Sequence, residues 1–190
     1  MGAAAVFLVG FMGSGKTSVG RELARRLRWD FIDLDARIET REQGSIPEIF
    51  RATGEPGFRR AETAALRELT EALGRDSVVA LGGGAFAQQN NRNLLRKWPS
   101  VFLEAPVDEL WQRCCEDGTE RPLRTDREQF AQLYAERLPF YREATLVVNT
   151  SAKDLAAICT EIESGLRLGN TRDGVSSQPQ PAGSETGGLQ

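Results

Sequence analysis

Apolar residues in this chain gather in short unbroken runs, and between the runs they recur at helical spacing. The first run, residues 3–9, stops at Gly10; Val19, Leu23, Ala24 and Leu27 then fall on one helical stripe that opens near Lys16. Phe31 and Ile32 form a shorter strand leading into Asp33-Leu34-Asp35, and a helix is expected from residue 35 to about 43, closed by Gly44. Ser45-Ile46-Pro47-Glu48 reads as a capping box with proline in the first turn. Gly54 ends that short helix, and Pro56 opens a longer one to about Leu73 with Gly74 just past it.

Residues 78–81 are a continuous apolar run landing on Gly82-Gly83-Gly84, which suits a central parallel strand better than a half-exposed one. A helix over about 91–97, a strand over 101–103 and a helix around Trp111, capped by Asp108, follow. Residues 116–125 are polar and read as a loop. Helical segments over about 127–142, a strand over 146–148 and a final helix near 153–167 complete the pattern. Five short strands alternating with helices predict an α/β fold, a parallel sheet with helices on both faces. One domain over 1–168 accounts for all of this. Residues 169–190 are rich in Gly, Ser, Gln and Pro and are expected to be a disordered tail, because they cannot repay the entropy of ordering.

Composition narrows the chemistry. The 24 basic and 27 acidic residues give a net charge of −3, so nothing draws the whole molecule to nucleic acid or anionic lipid. Histidine is absent, which excludes histidine triads, His-ligated zinc and imidazole proton shuttles; acid–base work falls to carboxylates, lysine, tyrosine or cysteine. The 3 cysteines, Cys114, Cys115 and Cys159, have no metal-ligand spacing and suggest no disulfide framework. Residues 3–9 lack a positive flank and are far too short to cross a membrane. A cytoplasmic protein is expected, and a monomer, since no apolar surface stripe is evident.

Gly10-Phe11-Met12-Gly13-Ser14-Gly15-Lys16-Thr17 fits the P-loop pattern G-x-x-x-x-G-K-[ST] and sits between a predicted strand and a predicted helix. Its glycines let successive backbone N–H groups turn inward onto phosphate oxygens, and the helix adds its positive end. Lys16 would reach the β- and γ-phosphates and the Thr17 hydroxyl would ligate Mg²⁺. The pattern indicates nucleoside triphosphate binding and is silent on the acceptor.

Four further features are individually weak. Asp33 and Asp35 stand at the carboxyl end of a strand, where open α/β sheets place ligands, although Asp35 would serve equally as a helix cap. Arg59 and Arg60, with Glu62, lie near a helix start; such a pair is more often solvated surface. Gly82-Gly83-Gly84 allow close backbone approach to a ligand or simply make a tight turn. Arg121-Pro122-Leu123 lies in the polar loop, and Arg137 precedes a proline-bent aromatic segment ending at Tyr141.

In order and spacing, these elements resemble the shikimate kinases of the nucleoside-monophosphate-kinase-like group over residues 6–162. The P-loop is joined by D-L-D at 33–35, G-E-x-x-F-R-x-x-E at 54–62, G-G-G at 82–84, R-P-L at 121–123 and R-x-P-x-Y at 137–141. The resemblance implies a three-layer P-loop fold with a five-stranded parallel sheet, a small helical acceptor-binding region over about 35–62 and a lid over about 116–125. It implies ATP as phosphate donor, with Mg²⁺, and shikimate as acceptor. Gly13, Ser14, Gly15, Lys16, Thr17 and Ser18 would bind ATP phosphates, with Thr17 on the metal and Asp33 in its outer shell. Asp35 would contact the acceptor hydroxyls as base, and Arg59, Arg137 and the Gly83 backbone would hold its carboxylate. Arg121 would come from the lid onto the transferring phosphate, and Arg113 and Lys153 would be further ATP contacts.

Two places depart from the family pattern. Arg113 stands one residue further ahead of Arg121 than the family's adenine-packing arginine. The stretch from Asn149 to Asp154 lacks the family's acidic residue and proline in their usual places. Neighbouring readings are a gluconate or nucleoside monophosphate kinase of the same fold, and a non-catalytic nucleotide-binding relative. The D-L-D, G-G-G and R-x-P-x-Y set speaks against the first, and Lys16, Thr17, Asp35 and Arg121 together against the second.

Overall fold

The computed structural model of the chain describes residues 4–116 and 126–168. Arg121, nearly all of the expected lid and the whole 169–190 tail lie outside these residues. Five strands, β1 (Ala5–Val9), β2 (Asp30–Asp33), β3 (Ser77–Ala80), β4 (Ser100–Glu104) and β5 (Leu146–Asn149), form one sheet in the order β2-β3-β1-β4-β5. Every pairing is parallel. The three inner strands are buried almost throughout, as their unbroken apolar runs require.

Side-chain alternation divides the core between the two faces of the sheet. Val6, Leu8, Val78, Val101 and Leu103 face α1 (Lys16–Leu27) and α7 (Leu155–Leu166), which contribute Val19, Leu23, Ile158 and Ile162. Phe7, Val9, Val79 and Phe102 face the other way, onto α2 (Leu34–Glu42), α3 (Ile46–Ala72), α4 (Gln89–Leu95), α5 (Val107–Glu116) and α6 (Arg127–Tyr141). Helices therefore cover both faces, and the carboxyl ends of β1, β2 and β3 open onto a common side. No helix among the described residues is long and apolar enough to cross a membrane.

Local rules account for most boundaries and for the exceptions. Glu48 Oε2 accepts from both the Ser45 N–H and its hydroxyl, at 2.8 and 2.7 Å, so the capping box forms as expected. The short and long helices anticipated around Gly54 run together as α3 with a kink there. Gly54 has φ 66° and ψ 179°, a conformation open essentially to glycine alone. The cap of α2 is Asp33, not Asp35: Asp33 Oδ1 accepts from the Asp35 N–H at 3.1 Å, and Asp35 lies inside the first turn. Asp108 does not cap α5 either. It lies inside the first turn and pairs with Arg127 at 2.7 Å, while the Pro106 carbonyl starts the helix by accepting from Leu110. A short 3₁₀ turn, Ala85–Ala87, fills the space after the glycine triplet, and α4 starts earlier than its apolar pattern suggested.

The kink at Gly54 aims the second part of α3, which carries Arg59 and Glu62, at the strand ends. A Cβ at Gly54 would meet only Pro56 Cδ at 3.6 Å, so there is room for a methyl and the penalty is backbone strain alone. Gly54→Ala is expected to lower stability by about 1–3 kcal/mol in chemical denaturation. A variant as stable as the parent would show that the kink survives in an ordinary backbone conformation.

Candidate active site

A cleft of about 470 Å³ lies at the carboxyl ends of β1, β2 and β3, and Gly13, Gly15, Lys16, Thr17, Ser18, Asp33, Asp35, Gly83 and Arg113 are among its lining residues. Its floor is the turn between β1 and α1. Gly10, Gly13 and Gly15 all have positive φ, at 153°, 76° and 83°. At Gly13 a Cβ would stand 2.7 Å from the Leu110 carbonyl oxygen and 3.0 Å from Cys114 Sγ, so α5 packs directly on the turn. Gly15 is the N-cap of α1 and offers no side-chain oxygen, so the first amides of the helix face the cleft without a local cap.

Lys16 Nζ lies over this turn, donating to the carbonyls of Gly10 (3.0 Å) and Phe11 (2.9 Å) and to Ser14 Oγ (3.4 Å). Ser14 is buried beneath the loop, whereas Ser18 lines the cleft. The Thr17 hydroxyl donates to Asp33 Oδ2 at 3.1 Å. Asp33 thus joins the first turn of α1 to the first turn of α2 through its two oxygens. A hydroxyl and a carboxylate side by side at the phosphate end of the cleft are the hard oxygen donors that suit Mg²⁺.

The glycine triplet after β3 is the other wall. A Cβ at Gly82 would stand 2.6 Å from Asp35 Oδ1 and 3.0 Å from Glu62 Oε1. At Gly84 it would stand 2.4 Å from Arg59 Nη2 and 2.5 Å from Nη1, so the guanidinium lies flat against bare backbone. The Gly83 carbonyl accepts from Arg137 Nη1 at 3.3 Å and from the Tyr141 hydroxyl. Arg137, 8% exposed, also lies 5.8 Å from the Phe11 ring centroid, against the phosphate-side turn. Burial pushes the Tyr141 phenol up to about 12, with Arg137 pulling the other way, so it stays a donor throughout the neutral range.

Sequence reasoning assigned no role to Glu62, which is fully buried on α3. Its Oε2 accepts from Arg59 Nη1 (2.9 Å) and Gln88 Nε2 (2.7 Å), while Oε1 is buried without a hydrogen-bond partner. Arg59 is held on its other edge by Glu55, at 3.0 Å. Glu62 stood in the sequence three residues after Arg59, the spacing of a helical ion pair, and only its depth was hidden. Among the remaining predicted residues, Arg113 faces the cleft and pairs with Glu109 at 3.1 Å, whereas Lys153 pairs with Glu161 on α7 and is not among the cleft-lining residues.

The sequence model of the shikimate kinase family matches residues 12–167. This chain belongs to the shikimate kinase family. It is similar to the shikimate kinase of Bordetella pertussis, at 44% identity over 157 residues that span 80% of this chain and 74% of that protein. The shikimate kinase of Geobacter metallireducens is 46% identical over 161 residues, 83% of this chain and 88% of that one. A solved shikimate kinase from Acinetobacter baumannii, in complex with shikimate, matches with a TM-score of 0.79 at 36% identity, covering 90% of this chain and 96% of the other. The shikimate kinase fold expected from the motifs is therefore the fold observed.

In this family member the buried acid has a measurable consequence. Burial raises the Glu62 carboxyl from 4.5 to about 7, against the opposing pull of Arg59; Asp35 adds to the rise and Arg137 opposes it. The folded protein thus keeps a proton that the unfolded chain releases above about pH 4.5. Stability from this group is full below that pH and is lost as pH rises through about 7, a difference of roughly 3 kcal/mol. Glu62→Gln removes the titration. Between about pH 5 and pH 8 the parent should lose melting temperature relative to Glu62→Gln, and parallel profiles would show that Glu62 is ionised throughout.

Proposed function

We propose that this chain transfers the γ-phosphate of ATP to the 3-hydroxyl of shikimate, the step that feeds the aromatic amino acid pathway. The observation that carries this reading is the glycine triplet. Three successive residues serve an acid (Asp35 at Gly82), one guanidinium (Arg137 at Gly83) and another guanidinium (Arg59 at Gly84), beside a phosphate-binding turn. Two arginines held on fixed backbone suit a carboxylate, whose two oxygens match the guanidinium fork. An acid near them, facing the nucleotide cleft, suits the hydroxyl to be phosphorylated.

In the reaction the acceptor oxygen forms a bond to the γ-phosphorus, the bond from that phosphorus to the β-bridging oxygen breaks, and ADP leaves. Asp35 orients the hydroxyl and takes its proton as the oxygen–phosphorus bond forms. Lys16 and the amides at the start of α1 stabilise the charge on the phosphate oxygens, exchanging contacts with loop carbonyls for contacts with phosphate. Gly13, Ser14, Thr17 and Ser18 complete this cradle. Thr17 would hold Mg²⁺ directly and Asp33 through water; the ion, when bound, offsets charge on the β- and γ-phosphates. The Gly83 carbonyl is engaged by Arg137 and Tyr141, so its N–H is the group that would face the acceptor. Arg113 would flank the nucleotide. Arg121 would bring a further positive charge from the lid, and Lys153 would have to leave Glu161 to reach ATP. On this reading the enzyme works as a cytoplasmic monomer.

A coupled ADP-release assay with shikimate, gluconate, nucleoside monophosphates and no acceptor tests the assignment. Turnover should depend on shikimate. Arg59→Lys keeps the charge but loses the fork, and is expected to raise the shikimate KM about tenfold, about 1.4 kcal/mol, with ATP affinity little changed. Asp35→Asn should depress kcat and largely spare acceptor binding. Faster turnover of gluconate than of shikimate, or a shikimate KM indifferent to Arg59→Lys, would overturn this reading.

A further inference from the structure

Arg92 on α4 is only 8% exposed, yet it lies outside the cleft and outside every contact assigned above. Its guanidinium spans the turn that follows the glycine triplet and the end of α6. On one side, Nη1 donates to the carbonyls of Phe86 and Ala87, each at 2.9 Å, and Nη2 to Gln89 Oε1 at 2.6 Å. On the other, Nε stands 3.0 Å from Glu143 Oε2, and the guanidinium lies over the Phe140 ring, 4.8 Å from its centroid. Phe86 and Ala87 belong to the turn immediately after Gly84, the bed of Arg59. Gln88, the next residue, bonds the Glu62 oxygen that also holds Arg59. Phe140 stands between Arg137 and Tyr141 on α6, and Glu143 follows just after that helix ends.

We propose that Arg92 is a positioning residue that braces the turn supporting Arg59 against the helix carrying Arg137, and so sets the spacing of the two guanidinium groups for the acceptor carboxylate. The inference rests on the reading of Arg59 and Arg137 as the carboxylate grip. Three features favour a brace over simple core filling. A buried guanidinium carries a desolvation cost that an apolar residue would avoid. Its rigid fork holds two successive carbonyls through Nη1 and the Gln89 oxygen through Nη2 in one plane, which a flexible ammonium does less well. Its ring partner is the residue between the two α6 side chains that engage Gly83. Two-pronged recognition is sensitive to misplacements of about 1 Å, so a loosened brace should show first in acceptor affinity.

The test uses full-length protein and steady-state kinetics in both substrates. Phe140→Leu with Glu143→Gln removes the α6-side ties while leaving the loop-side bonds intact, and Arg92→Lys loosens the loop side. Both should raise the shikimate KM, on the order of threefold to tenfold, while ATP KM and kcat at saturation change less than about twofold. Added to Arg137→Lys, the Phe140→Leu change should raise KM by less than the product of the separate effects, because spacing no longer matters once one prong is lost. A shikimate KM unchanged in the Phe140 and Glu143 variant, whatever its melting temperature, overturns the brace, and that variant gives the reading even if Arg92→Lys fails to fold. Arg59→Lys and Arg137→Lys separate the two layers. If both leave the shikimate KM unchanged, the carboxylate grip falls and the brace with it; if both raise it and the Phe140 and Glu143 variant does not, the brace alone falls.

Discussion

At Gly82 and Gly84 charged side chains from two helices occupy the space that methyl groups would fill, and at Gly83 a third helix bonds the backbone carbonyl. Asp35 comes from α2, Arg59 and Glu62 from α3, and Arg137 and Tyr141 from α6. The triplet can serve as their common floor because β3 is a buried central strand, paired with β2 on one side and β1 on the other, so its end is fixed by two ladders. The phosphate turn leaves the adjacent end of β1. The distance between the phosphate turn and the triplet is thereby set by neighbouring strands of one sheet.

Such a concentration of charge away from water is expensive unless each group is paired. Arg59 is held between Glu55 and Glu62, Arg92 is bonded to carbonyls and faces Glu143, and Arg137 meets the Gly83 carbonyl and the Phe11 ring. Pairing falls short at Arg92 Nε, which has no hydrogen-bond partner although Glu143 is near, and most of all at Glu62. One oxygen has no partner and the carboxyl drifts toward neutrality, so some stability is given up to keep Arg59 in place. The phosphate side is organised differently: Lys16 and the helix amides rely on loop carbonyls and backbone shape, with few charges buried. The two halves share Phe11, whose ring underlies Arg137 while its carbonyl accepts from Lys16.

Much of this was legible in the sequence for physical reasons. Unbroken apolar runs announced the inner strands, and Ser45, Glu48 and Gly54 marked their local structure through capping and backbone freedom. The P-loop, the D-L-D pair and the glycine triplet indicated the cleft. What stayed hidden depended on distance across the fold. Asp33 and Asp35 are chemically alike, and only the register of β2 decides which caps α2 and which faces Gly82. Asp108 looked like a cap but found Arg127, which lies far along the chain. Glu62 stood at ion-pair spacing from Arg59, but nothing local announced its burial against Gln88, and Arg92 had no motif at all, since its partners are mostly backbone carbonyls and a ring.

On the proposed reading, the bare backbone of the triplet seats the acceptor's carboxylate grip. Gly84 tests it cleanly, because its φ of −106° and ψ of −10° suit alanine, whereas the added methyl would fall 2.4 Å from Arg59 Nη2. Isothermal titration of Gly84→Ala with shikimate and, separately, with ATP reads both halves of the site in one folded protein. Shikimate affinity is expected to fall by about tenfold or more, with ATP affinity within about twofold of the parent. Undiminished shikimate binding by a folded Gly84→Ala protein would contradict the account.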